Sequence, residues 1–68
     1  MAAVSRITTQ HEGRPMDWTA FDGKQYHGRI VRVIRRHWLH FTYYVPGFGD
    51  VTTTMDLRVH RDRIVAIW

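Results

Sequence analysis

Phosphates and flat bases are held by cationic side chains and aromatic rings, and one stretch of this chain supplies both. Between Gly23 and Gly49 stand Lys24, Arg29, Arg32, Arg35 and Arg36 with no acid, so the stretch is +5 where the 68-residue chain is +4. Tyr26, Trp38, Phe41, Tyr43, Tyr44 and Phe48 are interleaved with them. Basic residues mixed with rings on strands suit a nucleic-acid partner. Nine of the ten basic residues are arginine. The guanidinium fork grips phosphate and guanine edges and stacks on rings, which gives the bias a use. A GC-rich coding sequence gives the same bias without one.

Other chemistries find less support. His11, His27, His37, His40 and His60 invite a zinc site, but there is no cysteine and no histidine pair at the helical i, i+4 spacing, and His37 and His40, three apart, fall on opposite faces of a strand. A zinc ion needs three or four converging ligands, so no metal and no cofactor is expected. Histidine protonation near pH ~6.5 gives a pH response more simply. Glu12 is the one glutamate and Ser5 the one serine, both in the N-terminal stretch. Asp56 and His60 share a strand face and can pair, with no nucleophile beside them. Gly47 and Gly49 flank a hairpin turn with no helix after it, which is no phosphate-cradling loop. The chain does not read as an enzyme.

These residues must be positioned by strands. Residues 1–15 read as a flexible polar arm closed by Gly13-Arg14-Pro15. Residues 16–21 form a first strand ending at the turn Asp22-Gly23. A second, over 26–35, is rich in Ile30, Val31, Val33 and Ile34. A strict strand there puts Arg29 and Arg35 on one side and Arg32 on the other. The third, over 37–45, alternates: Leu39, Phe41, Tyr43 and Val45 face one way, Trp38, His40, Thr42 and Tyr44 the other. Pro46-Gly47-Phe48-Gly49-Asp50 turns the chain. A return strand over 51–60 follows, with Val51, Thr53, Met55, Leu57 and Val59 inward. Arg61-Asp62 makes a short turn, and 63–68 is the last strand. The fold class is all-β: one small barrel of about five antiparallel strands over 16–68, whose closure hides the sheet edges.

A domain this short buries only ~60% of the surface its unfolded chain exposes, so its stability is marginal. The absence of cysteine suits a reducing compartment. No apolar run approaches the ~20 residues of a membrane helix, and the N-terminus lacks a signal-peptide core. The expected location is cytoplasmic.

The stretch Phe21-Asp22-Gly23-Lys24-Gln25-Tyr26-His27-Gly28-Arg29-Ile30-Val31 resembles the passage between the first two strands of SH3-like small barrels, both Tudor-like and Sm-like. Val59-His60-Arg61-Asp62-Arg63-Ile64-Val65 resembles the short turn before their fifth strand. Sm-like domains place an RNA-binding loop with Asp and Asn after the second strand. Here that place holds Arg35-Arg36-His37, so the role carries over by position. The long hairpin with Pro46-Gly47 is closer to Tudor-like domains. The aromatic cage of methyl-reading Tudor domains implies a role for Trp18, Tyr26, Tyr43 and Tyr44.

Three readings follow. In the first, Arg29, Arg32, Arg35, Arg36, Arg58, Arg61 and Arg63 contact the phosphates of DNA or RNA, and His37, Trp38, His40 and Tyr44 stack or hydrogen-bond. Ion pairs of these arginines to Asp50, Asp56 or Asp62 are the plainer alternative. In the second, Trp38, Tyr43, Tyr44 and Phe48 dock a protein partner. The size and composition also suit a phage or plasmid accessory protein that binds a host factor. In the third, the small core and the apolar residues of the last strand make a homo-oligomer.

Overall fold

The alternation of the third strand sets the sheet. The computed structural model describes residues 7–68. They form β1 (Pro15–Thr19), β2 (Gln25–Ile34), β3 (Trp38–Val45), β4 (Gly49–Asp56), a short helix α1 (Leu57–His60), a 3-10 turn over Arg61–Arg63, and β5 (Ile64–Ile67). All strand pairs are antiparallel, in the order β4-β3-β2-β1-β5. Leu39 and Phe41 of β3 point into a core with Met16, Trp18, Ile30, Val33, Met55, Leu57 and Ile67. The result is a small all-β, barrel-like sheet. It does not close: β4 and β5 are its two ends and share no ladder among the described residues. The helical corner of α1 and the 3-10 turn carries the chain between them, so two strand edges pair with nothing among the described residues where closure was expected.

Strand β2 departs from strict alternation at Val31. Ile30 pairs with Phe41 and Arg32 with His40, so Val31 is an extra residue, a β-bulge. Ile30 and Val33 are therefore both buried, while Val31 (49% exposed) and Arg32 both face outward. The bulge places Arg32 on the same side as Arg29, which a regular strand would have separated.

Gly28, upstream of the bulge, pairs with Met16 on one side and Tyr43 on the other. A Cβ there would fall on the Thr42 carbonyl oxygen and lie 2.9 Å from the Tyr43 Cα. The glycine sets how closely β2 and β3 approach.

The N-terminal segment is partly built into the barrel. Ile7 is buried in the core cluster. The Gly13 N–H donates to the Ile30 carbonyl (2.7 Å) and the Ile30 N–H to the Arg14 carbonyl (2.9 Å). Glu12 accepts from the Val33 N–H at 2.8 Å, beside the bulge. Residues 1–6 of the expected arm lie outside the described residues.

The return strand ends four residues earlier than its alternation suggests. Asp56 accepts from the Arg58 N–H at 3.0 Å and so caps α1. Leu57 still enters the core, and its N–H donates to the His37 carbonyl at 2.7 Å. Val59, expected to face inward, is 65% exposed on the helix. The expected Asp56–His60 pair does not form. Asp56 holds the Arg58 guanidinium through Nε (3.2 Å) and Nη2 (3.1 Å), and the His60 ring packs edge-on against Phe21.

The side-chain hydrogen bond from Arg58, and next the Arg58 backbone N–H, hold the Asp56 carboxyl below its ordinary range. A carboxylate lowered by folding stabilises above its unfolded pKa, and that contribution fades as pH falls from about 4 downward. Asp56→Ala should lower Tm by a few degrees at pH 7 through the lost cap, and the gap to wild type should narrow at pH 3. Thermal melts at the two pH values check this; an equal gap at both would show that the charge contributes nothing.

Candidate nucleic-acid interface

The outward side of β2, β3 and β4 forms one surface. Cross-strand partners set its rows: Arg29 with Thr42 and Thr52, Arg32 with His40 and Thr54, Ile34 with Trp38 and Asp56. Tyr44, opposite Asp50, continues it toward the hairpin tip. Trp38 is 38% and Tyr44 56% exposed. Side chains two apart on a strand repeat every ~6.8 Å, so Trp38, His40, Thr42 and Tyr44 make an evenly stepped track. The Arg29 guanidinium donates to the Gly13 carbonyl at 2.6 Å, which steadies it over the face. Arg32 has no hydrogen bond or ion pair among the described residues. The acids Asp50 and Asp56 stand on the β4 side, and Asp56 is already paired with Arg58.

The turn between β2 and β3 is unusual. Arg35 (φ 52°) and Arg36 (φ 68°) are both left-handed, and the His37 N–H closes onto the Ile34 carbonyl at 3.3 Å. Two successive positive φ values define a type I′ hairpin turn, which favours Asn-Gly. Each left-handed arginine costs about 1–2 kcal/mol, and such strain gathers at functional positions. Beyond this turn, Arg35, Arg36, His37, Arg58 and Arg61 border a groove of about 1120 Å³.

The expected site residues thus fall into two groups, with Arg63, Tyr43 and the hairpin-tip Phe48 outside both. Arg29, Arg32, Trp38, His40 and Tyr44 share the sheet face. Arg35, Arg36, His37, Arg58 and Arg61 surround the groove. Arg63 joins neither: it donates to the Ala20 carbonyl at 3.2 Å and lies 4.2 Å over the Phe21 ring, beside a 130 Å³ hollow lined also by Trp18, Phe41 and His60. Tyr43, expected at a partner surface, is half-buried, with its ring 5.0 Å from Trp18 and 5.2 Å from Tyr26. At these centroid separations the rings are in direct contact. Trp18, Tyr26 and Tyr43 therefore leave no room for a cation between them, and Tyr44 is on the opposite face.

Tyr26 donates to Asp22 at 3.1 Å. Burial first, and then Asp22, push the Tyr26 hydroxyl pKa upward, while the Lys24 N–H leads in drawing Asp22 down. This pair ties off the β1–β2 turn. The histidines serve separate local contacts: His27 meets Asp17, His37 lies by Trp38, and His11 accepts from the Thr8 N–H. Among the described residues no three metal-ligating side chains converge, and no helix is long and apolar enough to cross a membrane.

Sequence reasoning missed the groove, because its floor combines Ile7 and Val33 with Leu57 of the helical corner. The signal that could have found the corner is Asp56-Leu57-Arg58, a cap residue before a chain that can wind. Comparison with protein-family models, curated proteins and solved structures finds no match.

Proposed function

We propose that this domain binds nucleic acid, on the outward face of β2, β3 and β4. The observation that carries the reading is the Val31 bulge, which sets Arg29 and Arg32 beside Trp38, His40 and Tyr44 on one surface. The arginines take phosphates, and the rings take bases. Rings on an open sheet stack on bases only where those bases are unpaired, so single strands are favoured over duplex.

The test is titration of labelled single- and double-stranded DNA and RNA at two salt concentrations. Affinity should fall steeply with salt, with a log–log slope of about −0.7 for each phosphate contacted on a single strand. Arg32→Ala should reduce that slope by about 1. Tyr44→Ala should weaken binding by about 1–3 kcal/mol. Binding that ignores salt, or none at low salt, overturns the proposal.

A second reading rests on Phe48, 80% exposed at the tip of the β3–β4 hairpin. A ring so placed, near Tyr44, suits an anchor for a protein partner. Capture of a partner that survives joint replacement of Phe48 and Tyr44 by Ala would remove this reading.

A further inference from the structure

The groove at the β2–β3 turn differs in chemistry from the sheet face. No Phe, Tyr or Trp is among its described lining. Its floor is aliphatic, from Ile7, Val33, Leu57 and Ala66, all buried. Val59 and Val65 add exposed aliphatic surface at its sides. Among its described lining, four arginines stand against one carboxylate, Asp62. Arg58 is engaged by Asp56, but Arg35 and Arg36 have no hydrogen bond or ion pair among the described residues. The aliphatic floor offers bases nothing to stack on, and the His37 imidazole is the one aromatic ring in the described lining. The floor accepts apolar side chains, while the rim attracts carboxylates.

The groove also follows a strand edge. Ile64, Val65 and Ala66 are consecutive, and all three line it. Val65 is an extra residue between the Ile64–Trp18 and Ala66–Asp17 pairs, a β-bulge, and the side of the strand away from β1 pairs with nothing among the described residues. That strand, β5, is an end of the sheet.

We propose that this groove binds an extended acidic peptide in which carboxylates alternate with apolar side chains. An extended chain beside β5 would add to the sheet through main-chain hydrogen bonds. Its alternation then sends every second side chain to the aliphatic floor and the others to Arg35 and Arg36. This site is separate from the sheet face and stands whether or not that face binds nucleic acid.

The experiment is selection of the full chain against a random peptide library, followed by fluorescence anisotropy with the enriched peptide. Enriched sequences should alternate Asp or Glu with Leu, Ile, Val or Phe. Val59→Asp, at an exposed position, should weaken the peptide at least tenfold with Tm little changed. Arg36→Gly, which removes the charge at a residue already left-handed, should weaken it and flatten its salt dependence. Tyr44→Ala should leave it unchanged. Selection that yields no acidic–apolar alternation overturns the proposal, and so does a peptide indifferent to Val59→Asp. Competition by an oligonucleotide for the bound peptide that persists when Arg32→Ala and Tyr44→Ala disable the sheet face would assign the groove to nucleic acid instead. Light scattering that shows a dimer broken by Val59→Asp would assign it to a second copy of this chain.

Discussion

Gly28→Ala should abolish most of the stability of this domain. The added methyl group would meet backbone, the Thr42 carbonyl and the Tyr43 Cα, and backbone cannot rotate aside as a side-chain tip does. Relief requires β3 to move away from β2 at Tyr43, whose ring holds Trp18, Tyr26 and Phe41 together. Overpacking of this kind costs about 3 kcal/mol or more. A single small core rarely supplies more than about 3–5 kcal/mol in total. At about 4–8 °C per kcal/mol for this size of domain, Tm should fall by more than about 12 °C. Gly23→Ala is the control. Gly23 has a positive φ and nothing near its Cβ position, so the change carries backbone strain alone, about 1–2 kcal/mol. Circular-dichroism melts of the two variants decide it; a Gly28 variant as stable as the Gly23 variant would mean that the strands separate freely.

The second large effect has the opposite sign. Replacing Arg35-Arg36 by Asn-Gly should stabilise the protein, because that pair is the one a type I′ turn favours. Relief of two left-handed arginines is worth up to about 2–4 kcal/mol if the strain is wholly removed. The same change deletes two cations at the corner between the sheet face and the groove. Affinity for an oligonucleotide at low salt should therefore fall, with a shallower salt dependence. Melting and titration of one protein preparation test both halves. A more stable variant with undiminished affinity would show that the turn does not contribute to binding. Stability that does not rise would show that the arginines are not strained.

The all-β class and five antiparallel strands were legible because β3 keeps its period without interruption. Leu39 and Phe41 go in, Trp38 and Tyr44 go out, and neighbours must match that register. Three features were not legible, each for a physical reason. The bulge depends on which residue of the run from Ile30 to Ile34 is left unpaired, and every residue there but Arg32 is apolar enough for either face. The end of β4 depends on Asp56 choosing its own local backbone over the ladder, against an alternating pattern that continues through Val59. The docking of residues 7–14 depends on Glu12 reaching Val33 across 21 positions, and nothing local to either residue announces that contact. The candidate site shows the same division. Trp38, His40 and Tyr44 were placed by period alone. Arg32 needed the bulge, and Arg63 and Tyr43 were claimed by neighbours distant in sequence.

Val31 has a consequence for how the length of this chain may vary. Suppose that residue were deleted. Ile30 would remain inward, Arg32 outward and Val33 inward, now as an unbroken alternation. A one-residue deletion in a strand ordinarily turns everything beyond it inside out. Within the bulge it would leave the remaining residues on the faces they already occupy, and would cost only the local coiling that a bulge adds. Position 31 is thus a place where homologous chains could differ by one residue and still present the same surface.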